Sequence, residues 1–196
     1  MSLLLRPAPA PEVAALLPMV LAYLLCREYN RCSHRPAWVK WPNDVLVAEG
    51  KLAGILAEYG GRKESWLVMG LGVNLSEAPS TEEEGLLPSA AWSQQAEAPD
   101  PSELESRILA GLDRLWPERA LNPLPDIRPE IERMMWMRGR EVTAPVERRL
   151  VRGVVEGLDD LGHLRLYGPC GTMTVDSGEA RPIGLENPVD IPEGGS

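Results

Sequence analysis

The chain has 196 residues, 44% hydrophobic and 25% charged, enough to bury the core of one mid-sized domain, or one domain with a small appendage, and too apolar for a disordered chain. Twenty Lys and Arg against twenty-nine Asp and Glu leave a formal charge of −9, the wrong sign for gripping a phosphate backbone, so bulk nucleic-acid binding is set aside. Cys26, Cys32 and Cys170 form no CxxC pair, which argues against a disulfide framework or a zinc knuckle and for a reducing, cytoplasmic compartment.

Ser2-Leu3-Leu4-Leu5 reads as a short buried strand, and Pro7 to Pro11 as a turn. Pro11 and Glu12 suit a helix start, and Leu16, Leu17, Val20, Leu24 and Leu25 recur with helical spacing, which predicts one helix to about Cys32 with its apolar face on a sheet. The apolar run Val13 to Cys26 is shorter than the roughly 20 residues that span a bilayer and contains Pro18, so no membrane helix is expected. No small-x-small cleavage pattern follows, so the run does not read as a secretory signal. Ala37 to Trp41 has strand character, Pro42-Asn43-Asp44 is a turn, and Val45-Leu46-Val47 resumes extended structure. Glu49-Gly50 reads as a hairpin tip with Leu52 to Tyr59 returning, and Arg62-Lys63-Glu64 turns into a strand from Trp66 to Leu75.

Ser76 to Glu105 holds eight acidic residues and no basic ones, among Pro79, Pro88, Pro99 and Pro101, and is expected to be mostly a solvated loop. Ser102 is the expected N-cap, with Glu105 three residues on, of a helix whose face is Leu104, Ile108, Leu112 and Leu115 and whose stop is Pro117. A second Pro-rich interval, Asn122 to Pro129, leads to a short helix over Ile131 to Trp136 closed by Gly139. The period then changes. Glu141 to Ala144, Leu150 to Leu158, His163 to Tyr167 and Thr172 to Val175 are short strands separated by turns such as Asp159-Asp160-Leu161-Gly162, the pattern of a small barrel or closed sheet. The expected organisation is an α/β chain: a mixed, largely antiparallel sheet backed by helices over 1–138, a small barrel over 139–185, and a frayed tail over 186–196.

The chemistry concentrates in Lys40-Trp41-Pro42-Asn43-Asp44-Val45 and Gly50-Lys51-Leu52-Ala53-Gly54-Ile55-Leu56. A lysine opening a strand, with a glycine three residues on, can project an ammonium into a pocket while bare backbone at the glycine lets a ligand lie flat. Such an ammonium favours phosphate or carboxylate oxygens and can stabilise charge developing between them. Asp44 beside it can hold a divalent cation or orient polar groups. The plainer reading of the same residues is an exposed hairpin lysine at Lys51, turn fillers at Asn43 and Asp44, and a bulge at Gly54. Gly70-Leu71-Gly72 alone is a poor phosphate-loop signal, and His34 and His163 have no Ser or Cys in a nucleophile motif.

Together with Gly70-Leu71-Gly72-Val73-Asn74, these strings closely resemble the catalytic domain of biotin protein ligases, the biotin–[acetyl-CoA-carboxylase] ligases. The resemblance implies activation of biotin by ATP to biotinyl-5′-AMP, assisted by Mg2+, then transfer to a lysine of a biotin carboxyl carrier protein. It implies that Lys51 is catalytic and contacts the biotin carboxylate and the α-phosphate, that backbone at Gly54 and Leu56 lines the biotin pocket, and that Asn74 faces adenine. Asn43, Asp44 and Lys40 match polar residues near the nucleotide, with Asp44 also near the metal. Arg138 to Ile183 resembles the family's SH3-like barrel; Gly178-Glu179-Ala180-Arg181 looks like its glycine-glutamate turn, and Arg181 is assigned no catalytic role.

The family's Gly/Arg-rich loop precedes the strand that begins this chain, and no such string stands in this sequence. Three expectations therefore compete: a working ligase read from a late start, a non-catalytic remnant that binds a carrier domain or a partner subunit, and a lipoate-type acyl ligase on the same fold. An open sheet edge is expected to self-associate, giving a homodimer through the sheet. Arg148, Arg149 and Arg152 form a basic cluster that can meet an acidic carrier domain.

Overall fold

The computed structural model describes residues 1–48, 50–61, 64–80, 87–116, 124–146 and 149–183. The expectations for Glu49, the Arg62-Lys63 turn, the Pro117 stop, Asn122, Arg148 and the tail 186–196 lie outside them.

The alternating strand runs and turns of the first part of the chain form a five-stranded antiparallel sheet. Its strands are β1 (Ser2–Leu5), β2 (Trp38–Lys40), β3 (Asp44–Val47), β4 (Gly50–Gly60) and β5 (Trp66–Val73), in the order β1-β5-β4-β3-β2. β4 begins and β5 ends two residues earlier than expected. β1 is not the buried strand expected. Among the described residues it pairs only with β5, at the sheet edge, and Leu4 is 61% exposed.

The single helix expected from Pro11 onward is two helices, α1 (Pro11–Ala14) and α2 (Leu17–Asn30). Pro18 lacks an N–H and fits only a first turn, so the helix restarts there instead of running through. α2 is buried from Leu17 to Cys26 without a break, because it lies between the sheet and two further helices, α3 (Pro101–Leu115) and α4 (Leu124–Arg133). A Cβ at Gly111 would stand 2.7 Å from Leu24 Cδ2, so α3 reaches α2 only because that position is bare. The buried Glu28 accepts from Arg31 at 2.7 Å and pairs with Arg107 at 3.7 Å, tying α2 to α3. Tyr23 donates its hydroxyl to Glu130 of α4. Burial, then this bond, pushes the Tyr23 pKa up, so it is a neutral donor. Burial also pushes the Cys26 thiol up, which makes it a packing residue and not a nucleophile.

Three boundaries in α3 and α4 differ from expectation. The N-cap of α3 is Asp100, not Ser102: its Oδ1 accepts from the N–H groups of Ser102 at 2.9 Å and Glu103 at 3.1 Å, with Pro101 opening the helix. A carboxylate before a first-turn proline satisfies two orphan donors and the positive helix end together. α4 starts earlier than expected, carries Pro129 inside, and ends at Arg133. Beyond it the backbone is captured by β2: Val39 N donates to Met134 O at 2.8 Å and Trp136 N to Val39 O at 2.9 Å. Pairing with a strand edge outweighs the helical spacing of Ile131 to Trp136.

The segment expected to be a solvated loop is partly core. Lys51 N donates to Pro88 O at 2.7 Å and Ala90 N to Lys51 O at 2.9 Å, so Pro88 to Ala90 run beside the start of β4. Ala90, Ala91 and Trp92 are buried. The acidic average of the segment conceals this short apolar run.

The C-terminal strands are β6 (Glu141–Val146), β7 (Arg149–Leu158), β8 (Leu164–Gly168), β9 (Gly171–Val175) and β10 (Arg181–Pro182), antiparallel in the order β10-β6-β7-β8-β9. Val142, Ala144, Val155, Leu158, Leu164, Leu166 and Val175 join the core of the first sheet. Asp159 Oδ1 accepts from Leu161 N at 2.8 Å and His163 N at 2.9 Å, building the expected turn. Trp41 Nε1 donates to Gly162 O at 3.0 Å, which fastens that turn onto the end of β2. No helix among the described residues is long and apolar enough to cross a membrane.

Candidate active site

The antiparallel register decides which side chains share a face. Gly54 pairs with Asp44 and Gly72, Leu56 with Gly70, and Glu58 with Val68. The intervening pairs, Ile55 with Leu71 and Ala57 with Met69, turn the other way, and Ile55, Leu71 and Met69 are buried. One face of β4 and β5 is therefore apolar and covered. The other is paved with glycine.

At the end of this bare face lies a cavity of about 760 Å³, within the usual range of small-molecule sites. Its walls include Lys40, Asp44, Lys51, Gly54, Asn74 and, from the C-terminal sheet, Glu179. Five of the residues singled out from the sequence therefore meet in one place. Asn43 and Leu56 do not line it. The Asn43 amide donates to Ile55 O at 2.6 Å, and Ile55 N donates to Asn43 O at 2.9 Å, so Asn43 pins the turn that presents Asp44. Leu56 stands one register step further along the Gly54 face and is 63% exposed.

Charge in the cavity is ordered around Asp44, which is buried. Its Oδ1 lies 2.7 Å from Lys51 Nζ and its Oδ2 accepts from Lys40 Nζ at 3.3 Å. Lys40 is buried too and also donates to Glu179 Oε1 at 3.4 Å. Arg181 donates to Glu179 Oε2 through Nη2 at 3.1 Å and Nε at 3.3 Å. Three cations and two carboxylates thus alternate along one line, with a net positive charge facing the cavity. Partial burial alone would raise the Glu179 pKa, but Lys40 and then Arg181 outweigh it and hold the carboxyl below its ordinary value. The Glu179 contacts therefore persist at neutral pH and are lost only as the pH falls through that lowered value.

Gly54 is bare for a local reason. A Cβ there would lie 3.2 Å from both Cε and Nζ of Lys51 and 3.4 Å from Asp44 Oδ1. The space that a side chain would take is filled by the Lys51–Asp44 pair. A Cβ at Gly70 would meet nothing within 4 Å, so the floor beside it is open. The Asn74 amide nitrogen donates to Lys51 O at 3.3 Å and Ala90 O at 3.0 Å, which fixes the backbone from which Lys51 projects.

Trp136, Ser89 and Glu179 also line the cavity, and no local spacing in the sequence marks them for it. Trp136 is buried in the cavity wall, and its indole N–H finds no acceptor among the described residues. Among the described residues there is no group of three or more His, Cys, Asp or Glu that could hold a metal ion, and both Asp44 oxygens face ammonium groups.

The family model described as the biotin/lipoate A/B protein ligase family matches residues 1–74. A biotin–[acetyl-CoA-carboxylase] ligase of Paracoccus denitrificans is 30% identical over 185 residues, covering 91% of this chain and 77% of that protein. Its counterpart in Mycobacterium tuberculosis is 35% identical over 145 residues, 72% of this chain and about half, 51%, of that protein. The apo structure of biotin protein ligase from Aquifex aeolicus matches with a TM-score of 0.72 at 26% identity, covering 91% of this chain and 79% of that one. With a relative this similar along most of both chains, and with the lysine and glycine motifs meeting in one cavity, the chain belongs to the biotin protein ligase family.

Proposed function

We propose that the chain activates biotin with ATP and transfers it to a lysine of a biotin carboxyl carrier protein in the cytoplasm. The observation that carries this reading is the Lys51 ammonium, 2.7 Å from Asp44 beside Gly54, at a glycine-floored cavity. A biotin carboxylate and the α-phosphate of ATP repel each other, and positive charge fixed between them lowers the barrier most where charge builds up. In the first step a carboxylate oxygen bonds to the α-phosphorus and the bond to pyrophosphate breaks, giving biotinyl-5′-AMP. In the second, the carrier lysine amine bonds to the acyl carbon, AMP leaves, and the amine proton passes to solvent.

Lys51 is the catalytic residue in this reading. The Gly54 to Leu56 backbone supports the flat biotin rings, and Asn74 stands at the adenine side. Lys40, Asn43 and Asp44 order the nucleotide end. Magnesium would enter with ATP as the counter-ion of its phosphates. Residues 139–185 serve as the family's SH3-like module, and the free edge of β1 offers a homodimer contact through the sheet.

The test is transfer. Incubated with biotin, ATP, Mg2+ and a carrier domain, the chain is expected to leave one biotinyl group on one carrier lysine, read by intact mass and peptide mapping. Lipoate in place of biotin is expected to give none. Carrier bound in a pull-down but never acylated would refute the reading and favour a binding remnant.

A further inference from the structure

We propose that Glu179 is a positioning residue for Lys51: it holds the Lys40 ammonium partly away from Asp44 and so leaves that carboxylate to orient Lys51. Glu179 stands 139 residues beyond Lys40 in sequence, so the docking of the C-terminal sheet would set the poise of a lysine in the first sheet. The catalytic consequence rests on the function proposed above. The charge coupling does not.

The argument starts from one carboxylate serving two ammonium groups. Lys51 has the short contact with Asp44, 2.7 Å, and Lys40 the long one, 3.3 Å. Lys40 is almost equally far from Glu179, at 3.4 Å. Its side chain is 7% exposed, so it cannot give its charge to water and must find it matched by carboxylates. With Glu179 removed, Asp44 is the only carboxylate within ion-pair distance of Lys40 among the described residues. Lys40 then draws on Asp44 more strongly, at the expense of Lys51.

Arg181 aims Glu179 by two donors. The groups facing Lys40 and Lys51 are thus Asp44 from β3, Glu179 from the segment before β10, and Arg181 behind Glu179. The Glu179 side chain is 52% exposed and Lys51 42% exposed, so solvent screens the coupling and its size is modest.

The coupling has signs that a purely structural contact would not produce. Removing Glu179 loosens Asp44 from Lys51, while removing Lys40 commits Asp44 to Lys51 alone. A lysine held in an ion pair is withheld from an acylating reagent, so a looser Lys51 acylates faster and a tightly paired one slower.

The test uses the full chain and acetic anhydride, with the extent of acetylation at Lys51 read by peptide mapping and normalised to an added lysine peptide. Glu179→Gln is expected to raise the Lys51 rate, and Lys40→Met to lower it, each by about two- to fivefold. In the Lys40→Met background, Glu179→Gln is expected to add nothing. Lys40→Gln is a second probe of the same arm. A Lys51 rate unchanged by Glu179→Gln, or raised equally with and without Lys40, would overturn the proposal.

Biotin-dependent pyrophosphate exchange into ATP, run on the same proteins, separates the two claims. Under both, Glu179→Gln lowers kcat and leaves KM for biotin nearly unchanged. An inactive wild type with the expected labelling pattern would refute the proposed function and leave the coupling standing. An active wild type with flat labelling would refute the coupling alone.

Discussion

On one face of β4 and β5 stand Ile55, Leu71 and Met69, each at most 6% exposed. On the other, the register puts Gly54 against Gly72 and Gly70 against Leu56, with Leu56 63% exposed. The same strands therefore make a wall for α2 and a floor for a ligand. Burying Ile, Leu and Met side chains stabilises the fold by roughly 1.5–3 kcal/mol each, while glycines contribute no packing and cost order. Glycine within a strand marks a bulge, a bend or the close approach of a ligand or another backbone. Separation by face lets chemistry and stability be disturbed one at a time.

The comparison can be broken most severely at Lys51. Lys51→Ala removes the half-exposed ammonium but nothing from the covered face, so biotin-dependent exchange is expected to fall on the order of a hundred- to a thousandfold. The melting temperature should hardly move, and a Lys51→Ala chain that unfolds would merge the two roles that we separate. Leu21→Ala tests the opposite face. Leu21 is fully buried in α2, and the cavity left behind is expected to cost about 2–5 kcal/mol in denaturant unfolding. The protein that remains folded should exchange at the wild-type rate.

Gly54→Val sharpens the contrast, since its Cβ would crowd Lys51 at 3.2 Å. Exchange is expected to drop by roughly a hundredfold, the scale of a displaced reacting group, with stability within about 1 kcal/mol of wild type. A large loss of stability without loss of exchange would show that Gly54 serves the fold. The smallest effect is expected at Asp100→Ala, a residue that does not line the cavity. Losing the cap of α3 should cost about 1 kcal/mol and leave exchange untouched, measured by thermal unfolding and the same assay.

The two faces were not equally legible in the sequence. Lys51 and Gly54 sit three residues apart in one strand, and Lys40 and Asp44 flank one turn, so local spacing was enough to bring four cavity residues together. Asn74 follows from the motif at the end of β5. Glu179 enters the cavity from the other sheet, and no spacing rule links it to Lys40 across 139 residues. The spacing of Ile131 to Trp136 is helical, and only the capture of the backbone by β2 turns Trp136 into a cavity wall. Pro88 to Trp92 was hidden by acidic neighbours. The strands were legible because their turns are marked by Gly, Pro, Asn and Asp. Apolar spacing continues through Pro18 and masks the break between α1 and α2, although that proline carries the signal.

The measurement that bears most directly on the central claim is biotin-dependent exchange of labelled pyrophosphate into ATP by the wild-type chain, with lipoate as the competing acid. We predict exchange that requires biotin and is not supported by lipoate. A well-folded chain that shows no exchange, or exchange with lipoate and none with biotin, would contradict the claim that the bare face of the first sheet is a biotin-activating site.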